Sequence, residues 1–341
     1  RVLNTDTPLD TAAAIVRAAA LLQLGDLPAA RAAAAPVPDS APPHVVAGRD
    51  RILLLVQLAE DPAGAAATAE ELTRRHGAAP AHAGLRCALA ATAAGVRAAG
   101  WESALTAAAD AARAAGDALS ARWSDWLLVE TLAADGRLDE AADAAHRAAQ
   151  ACAADLAYSW QTRFLAAGLW CRALRGGNGD EVLRRATDLT DRTLPTLARG
   201  YAVAAASLIE ADAGLLGTAR ARLAAAPAGS VADAALDWVT REAAWLDGQP
   251  NQAVTGAETA GSPLVNGLRQ ITACWAAFDG ADASAPTDPP HLPAIEQTLK
   301  AWTTRDPQDF AAAAVAWHDR SVREEVRSLL AQGLHEPDRQ Q

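Results

Sequence analysis

The stretch Gly136-Arg137-Leu138-Asp139-Glu140-Ala141 decides the fold that we expect for this chain. A glycine followed by a polar residue is typical of the end of one helix, since glycine adopts the left-handed conformation there. The acidic, alanine-rich residues that follow are typical of the start of another helix. Ala141, five residues after the glycine, is small enough for the second helix to approach the first closely. The stretch therefore predicts a helix hairpin.

The same phrase recurs along the chain, with weaker copies at Asp61-Pro62 and Asp306-Pro307. The copies before the last one start at positions 25, 61, 100, 136, 177, 214 and 248, so that successive copies are 34 to 41 residues apart. The step to Asp306 is longer because it contains a Pro/Asp-rich segment, residues 279–293, which we expect to be a loop. A lone hairpin leaves one face uncovered, so we expect the copies to stack into a continuous core.

Composition supports a folded, helical chain. The 341 residues are 51% apolar and 21% charged, which is enough to bury a substantial core. Alanine is the commonest residue and aromatic residues make up only 4%. Alternating runs of β-branched and aromatic residues are scarce, which argues against a large sheet, a sandwich or a barrel.

The phrase and its period resemble the tetratricopeptide repeat over roughly Thr11 to Leu334. The resemblance implies an all-α fold, a right-handed superhelix of antiparallel helix hairpins (an α-solenoid) with a concave groove. Several copies lack the large aromatic residue that the family often has in its first helix, so other helical-hairpin arrays remain alternatives. We expect the array over residues 1–278, the loop at 279–293, a final hairpin at 294–334 and a disordered tail at 335–341.

Charge and hydropathy exclude several classes of partner. The net charge is −11, from 30 basic and 41 acidic residues, and the basic residues form no run of five or more. This argues against direct binding of nucleic acid or of an anionic membrane. No uncharged apolar stretch has the length of a membrane helix, so we expect a cytoplasmic protein. Lys300 is the only lysine and methionine is absent, which favours an actinobacterial source and a piece of a longer protein.

No motif in the sequence indicates a catalytic residue, a cofactor site or a metal site, and we predict that the chain is not an enzyme. Lys300 has no glycine-rich loop before it, and the segment 176–179 lacks the third glycine of a dinucleotide fingerprint. His76 and His82 straddle a turn, which is weak support for metal binding. The cysteines have no metal-ligand spacing and are interpreted as buried apolar residues. They are Cys87, Cys152, Cys171 and Cys274.

Each predicted hairpin has a first helix, before the turn, and a second helix after it. The first helices before Gly136 and Gly248 share a pattern of tryptophan and glutamate. Trp126 and Trp238 lie ten residues before their turn glycines, and Glu130 and Glu242 lie six residues before them. The four-residue spacing places Trp and Glu on one face of each helix.

In the tetratricopeptide family the first helices line the groove, and the resemblance assigns a groove set to this chain. Such an aromatic and acidic surface suits sugar rings, apolar ring systems, or basic and aromatic peptide side chains. The predicted ligand-binding residues are Trp123, Trp126, Glu130, Arg163, Phe164, Tyr201, Trp238, Arg241, Glu242 and Trp245.

The competing interpretation is that the tryptophans fill the space between neighbouring hairpins. Hydrophobic residues at helical spacing are usually core, so core packing is favoured for any single tryptophan. For the matched Trp and Glu positions the two interpretations weigh equally, because a core does not normally accept a carboxylate on the same face.

Residues 293–302 and 306–317 resemble the end of the helical array in large actinobacterial LuxR-type regulators, in the order of Asp-Pro, aromatic, alanine run and Trp317. The resemblance implies a sensor module that binds a small-molecule effector and changes the pitch of the array. The nucleotide-binding and helix-turn-helix parts of those regulators are not in this sequence. A scaffold that binds a peptide or partner domain is the alternative, and an enzyme on a helical scaffold is the weakest one. The oligomeric state cannot be predicted.

Overall fold

A computed structural model describes residues 10–77, 81–191, 196–226, 229, 232–255, 261–282 and 290–336. These described residues form eighteen α-helices and no strand, which confirms the all-α expectation. In chain order, α1 to α18 are Thr11–Gln23, Leu27–Ala34, Pro43–Glu60, Pro62–His76, Ala83–Gly95, Trp101–Ala114, Ala118–Ala134, Leu138–Ala154, Tyr158–Arg175, Gly179–Asp191, Thr196–Asp212, Leu216–Ala224, Asp233–Leu246, Pro250–Val254, Pro263–Phe278, Pro293–Thr304, Pro307–Trp317 and Val322–His335.

Every predicted hairpin turn separates two helices. At the turn between α7 and α8, Gly136 has a φ of 72°, and its N–H donates to the carbonyl of Ala133 at 3.0 Å. The N–H of Arg137 donates to the carbonyl of Leu132 at 2.9 Å, which completes a Schellman motif. At the two turns without glycine, Asp61 and Asp306 cap the following helix with their carboxylates. The repeated phrase therefore marks helix boundaries correctly.

The chain divides into two compact units, Arg1–Thr131 and Leu132–Gln341, and the boundary falls within α7. In the first unit, α1 contacts α2 and α3, and α3 contacts α4 and α5. Its core includes Ile52, Leu54 and Leu85, all fully buried. Each hairpin there packs on the next one along the chain.

The second unit repeats this arrangement. The helix α9 contacts α8, α10 and α11, and α11 in turn contacts α13, which contacts α15. Alanine fills much of the interface, since residues 204–206 on α11 are fully buried. Small side chains at these positions let neighbouring first helices approach one another.

The C-terminal segment differs from the single hairpin predicted for residues 294–334. It forms three helices, α16, α17 and α18. Ser321 ends the turn after α17 and accepts a hydrogen bond from the N–H of Glu324 at 3.3 Å. Ser321 and Glu324 have the spacing of a capping box, a signal for a new helix that the sequence contains. Residues 283–289 of the predicted loop and 337–341 of the predicted tail lie outside the described residues. His335, predicted as the start of a disordered tail, is the last residue of α18.

Two further expectations concern the membrane and the cysteines. Within the described ranges, no helix has the length and apolar character needed to cross a membrane. All the cysteines are free thiols; three are buried and Cys274 is half-buried. Burial raises the pKa of Cys274 to about 11.

A glycine on α15 allows close packing of α16. A Cβ on Gly267 would overlap three side-chain carbons of Ile295, which is fully buried. We expect Gly267→Ala to lower the free energy of unfolding by ~1–3 kcal/mol, because overpacking outweighs the gain in helix propensity. Gly217 on α12 faces open space, so Gly217→Ala should raise the free energy of unfolding by up to ~1 kcal/mol. Urea denaturation of both variants measures the difference, and equal changes would contradict the packing argument.

Candidate functional site

The helix α13 presents Trp238, Glu242 and Trp245 along one stripe, and we call these three residues the Trp–Glu face. Their spacing of four and three residues places them on neighbouring turns of one helix side. Trp238 and Glu242 are buried, with 1% and 0% exposure, and Trp245 is half-buried. The sequence predicted this alignment.

The helix α18 of the same unit lies against the Trp–Glu face. Arg323 donates from Nη2 to Oε1 of Glu242 at 2.7 Å, and Arg327 donates to the same oxygen. Thr272 on α15 donates its hydroxyl to Oε2 of Glu242 at 2.5 Å. Both carboxylate oxygens of the fully buried Glu242 therefore accept hydrogen bonds, two of them from charged donors.

The charges around Glu242 favour its ionised form. Burial would raise the pKa of Glu242, but the attraction of Arg327 and Arg323 and the hydrogen bond from Thr272 outweigh burial and lower it to about 2. Burial opposes the charge of Arg323 as well, yet the neighbouring carboxylates of Asp212 and Glu242 hold its pKa well above its ordinary value. The site is thus a buried pairing of fixed charges.

Arg323 also joins the C-terminal helix to α11. Its Nε and Nη2 donate to the two carboxylate oxygens of Asp212 at 2.7 and 2.9 Å. This two-pronged geometry is available to arginine and not to lysine. Its Nη1 donates to Glu324 of the same helix. Arg323 therefore contacts three carboxylates while its side chain is only 8% exposed.

The two indole rings of the Trp–Glu face lie beneath the two arginines. The guanidinium carbon of Arg323 is 5.6 Å from the ring centroid of Trp238, and that of Arg327 is 4.8 Å from the ring centroid of Trp245. Both distances are within the range of cation–π attraction. Nε1 of Trp238 donates to Thr272 at 3.0 Å, so the ring is fixed by the residue that also holds Glu242.

Both ends of α18 are held by other helices of the unit. At its start, the hydroxyl of Ser321 donates to the carbonyl of Leu174 on α9 at 2.6 Å. At its end, the imidazole of His335 stacks on Phe310 at 4.9 Å between ring centroids and lies 5.8 Å from Trp302. The helix α18 thus occupies the face that the sequence assigned to a ligand.

The other predicted residues of the second unit lie in different surroundings. Tyr201 stacks on Trp170 at 6.2 Å, and Trp170 meets the edge of Trp238 at 5.9 Å, so Tyr201 extends the aromatic stripe. Arg241 is buried and hydrogen-bonds Asp237 and the carbonyl of Ala253, away from α18.

Arg163 and Phe164 lie near the start of α9. The guanidinium of Arg163 is 4.6 Å from the ring centroid of Trp160. Phe164 is fully buried. The contact of Arg163 with Trp160 does not involve the Trp–Glu face.

The matching set on α7 belongs to the first unit. Trp126 is 4% exposed, and Trp123 and Glu130 are half-buried. A groove that joins these residues to the Trp–Glu face stays a prediction.

Histidines that the sequence linked weakly to metal have other roles. Nε2 of His76 lies 2.7 Å from Oδ2 of the buried Asp50, and Nδ1 of His82 accepts the N–H of Leu85 at 3.1 Å as the cap of α5. In the part of the chain that the structure describes, no group of three His, Cys, Asp or Glu side chains has an arrangement that would hold a metal ion.

Sequence reasoning missed the residues that occupy the Trp–Glu face. Arg323 and Arg327 are four residues apart, which places them on one face of a helix, but nothing in the sequence pairs them with Glu242 more than eighty residues away. Thr272 and Asp212 do not belong to any sequence motif that would indicate their part in this contact.

Comparison with known proteins finds no match for this chain among protein-family models, curated proteins or solved structures.

Proposed function

We propose that this chain is a non-catalytic binding module of the tetratricopeptide type, built as a right-handed superhelix of hairpins. Its Trp–Glu face recognises a helix that carries two arginines four residues apart. In this structure α18 is the resident occupant of that face. The observation that carries the proposal is the pair of charge-assisted hydrogen bonds from Arg323 and Arg327 to the fully buried Glu242.

The chemistry of the contact supports recognition over simple packing. A buried ion pair rarely holds two helices together better than apolar side chains of the same size, because both charges lose their water. What buried charges add is selectivity, since a helix without the matching arginines would leave Glu242 buried without a counter-charge. This favours the predicted alternative of a scaffold that binds a peptide or partner domain, and we propose that the bound segment is a helix.

The outer face of α18 differs from that of an ordinary core helix. Its exposed apolar side chains recur at helical spacing, with 57% exposure for Val326 and 56% for Leu330. The helix is therefore buried through arginines on one side and leaves apolar residues in contact with solvent on the other. We infer that α18, which also packs on α17, is held on the Trp–Glu face through its polar anchors.

The effector-sensing module of an actinobacterial transcriptional regulator is the second candidate function. For this candidate, an effector that binds elsewhere in the molecule would release α18 from the Trp–Glu face and so shift a two-state equilibrium. A cavity among α8, α9 and α10 of the second unit favours this candidate. We propose a cytoplasmic location for either function.

The test is whether a separate peptide with the sequence of α18 can bind in place of the chain's own α18. The full chain with Arg323→Ala and Arg327→Ala should bind a fluorescein-labelled peptide of residues 318–336 at least about tenfold more tightly than the wild-type chain does. In the wild type the tethered helix competes at an effective concentration of the order of millimolar. Fluorescence anisotropy measures the affinity, and a rise in the melting temperature of the variant reports the restored ion pairs.

Two peptide controls make the exchange specific. A peptide with alanine at both arginine positions should not bind. The Arg320→Ala peptide should bind like the unchanged one, because the hydrogen bonds that the described structure gives Arg320 are made by its backbone N–H, to Trp317 and His318. Equal affinity of all three peptides would refute recognition through the two arginines.

A further inference from the structure

A cavity of about 220 Å³ opens among α8, α9 and α10 in the second unit, apart from the Trp–Glu face. Phe164 and Gly168 on α9 are buried and form its floor. His146, Arg172, Arg185 and Asp188 line it as well and are exposed to solvent, so that they mark its mouth. The cavity is therefore apolar inside and charged at its rim.

Regular helices form the whole cavity. Gly168 leaves the α9 surface flat where it faces α8, and a Cβ there would lie 3.4 Å from the Cβ of Ala145. Arg172 follows one turn after Gly168 and stands above the same face. A pocket that is lined by helices and not by loops keeps its shape before a ligand arrives, which lowers the entropic cost of binding.

The rim carries an excess of positive charge. Arg172 and Arg185 contribute two fixed charges and His146 a titratable one, against the single carboxylate of Asp188. Arg185 shares Glu181 with its neighbour Arg184. The guanidinium of Arg172 has no hydrogen-bond or ion-pair partner among the residues that the structure describes.

We propose that this cavity binds a small amphipathic carboxylate, an aliphatic or aromatic carboxylic acid of moderate size. The apolar body would lie against Leu165, Leu169 and Leu189, above the fully buried Phe164. The carboxylate would accept hydrogen bonds from Arg172 and Arg185. Few convergent polar groups above an apolar floor are the usual composition of a small-molecule site. The volume is below the ~300 Å³ at which pockets for drug-sized ligands begin, which limits the ligand to a short chain or a single ring system.

Neutral sugars do not match this site. A sugar needs acceptors and donors along its whole length, whereas the floor offers Phe164 and leucine side chains. A carboxylate needs donors at one end only, and arginine provides them in a matching planar fork. The proposal is independent of helix recognition at the Trp–Glu face, because the two sites share no residue.

Isothermal titration calorimetry of the full chain with hexanoate, octanoate, decanoate and dodecanoate tests the proposal. We expect saturable binding, with affinity that rises about fourfold per methylene until the cavity is full. Decanol in place of decanoate should bind at least about tenfold more weakly, since it lacks the charge that the two arginines recognise. Equal affinity for the acid and the alcohol, or no saturable heat with any of the acids, would overturn the proposal.

A matched pair of variants locates the binding. Arg185→Gln should weaken decanoate binding by about tenfold, whereas Arg184→Gln, which removes the other partner of Glu181 but does not line the cavity, should leave it unchanged. Arg172→Gln should act like Arg185→Gln. All three side chains are exposed, so folding is retained. The same loss with Arg184→Gln as with Arg185→Gln would show that general surface charge, and not this cavity, attracts the acid.

Discussion

Replacing Glu242 with glutamine is expected to lower the free energy of unfolding by about 3–5 kcal/mol. Glutamine has the size of glutamate and keeps the hydrogen bond from Thr272, but it removes the negative charge. Arg323 and Arg327, whose side chains are 8% and 12% exposed, then lie beside each other without the carboxylate that they share. Arg323 keeps the carboxylates of Asp212 and Glu324, but Arg327 keeps only that of Glu324, at 3.9 Å. A buried charge whose nearest counter-charge is lost destabilises the folded chain strongly.

Urea denaturation followed by tryptophan fluorescence measures this loss. The matched control is Glu181→Gln, which removes a glutamate that also contacts two arginines but at the surface. Surface ion pairs contribute at most about 1 kcal/mol, so the control should unfold almost like the wild type. A loss below about 1 kcal/mol in Glu242→Gln would mean that α18 does not depend on the buried pairing.

The same substitution predicts a change in the pH dependence of stability. The pKa of Glu242 is about 2 in the folded chain, against an ordinary value of 4.5, so folding favours the ionised form. The resulting stabilisation is complete above the ordinary pKa and is lost as the pH falls from about 5 towards 2. It amounts to roughly 3 kcal/mol. Unfolding at pH 6, 4.5 and 3 should therefore show the wild type converging on Glu242→Gln.

The local part of the fold could be predicted because it is encoded locally. A glycine such as Gly136 or a capping aspartate such as Asp306 determines where a helix ends or begins, whatever the rest of the chain does. The alignment of Trp238 with Glu242 follows from helical periodicity in the same way. These features need only the residues within a few turns of one another.

The return of α18 could not be predicted, because the contacts that hold it are distant in sequence. Ser321 meets the carbonyl of Leu174 across 147 positions, and Arg323 meets Asp212 across 111. Neither the charge of an arginine nor its spacing specifies which of many carboxylates it will contact. The sequence did contain the start of the helix, in the capping-box spacing of Ser321 and Glu324.

The structure also gives a physical reason why the groove and core interpretations weighed equally for the Trp–Glu face. Glu242 is as buried as a core residue, yet it is buried by arginines from another helix and not by apolar side chains. Trp238 is enclosed, whereas Trp245 is half-buried and bonds Asp279 through Nε1 at 2.7 Å. The Trp–Glu face therefore contains one core tryptophan, Trp238, and one tryptophan at its edge, Trp245.

The two tryptophans should accordingly respond differently to truncation. We expect Trp238→Ala to lower the free energy of unfolding by about 3–5 kcal/mol, because it leaves a large cavity beside Trp170 and removes the hydrogen bond to Thr272. Trp238→Phe keeps most of the volume and should lose only about 1–2 kcal/mol, chiefly because the hydroxyl oxygen of Thr272 no longer accepts the hydrogen bond from Nε1 of the indole. Urea denaturation measures both, and equal losses would show that the ring volume contributes little.

Trp245→Ala separates recognition from packing. Its ring lies under Arg327 at 4.8 Å but is only half-buried, so truncation should cost less stability than Trp238→Ala does. The lost cation–π contact should still weaken the hold on α18, by a factor of about 2–5 for ~0.5–1 kcal/mol. Placed in the Arg323→Ala and Arg327→Ala chain, Trp245→Ala should therefore reduce the affinity for the α18 peptide while leaving the unfolding transition cooperative. If the stability fell as far as with Trp238→Ala and the peptide affinity did not change, Trp245 would be a core residue and the Trp–Glu face would end at Glu242.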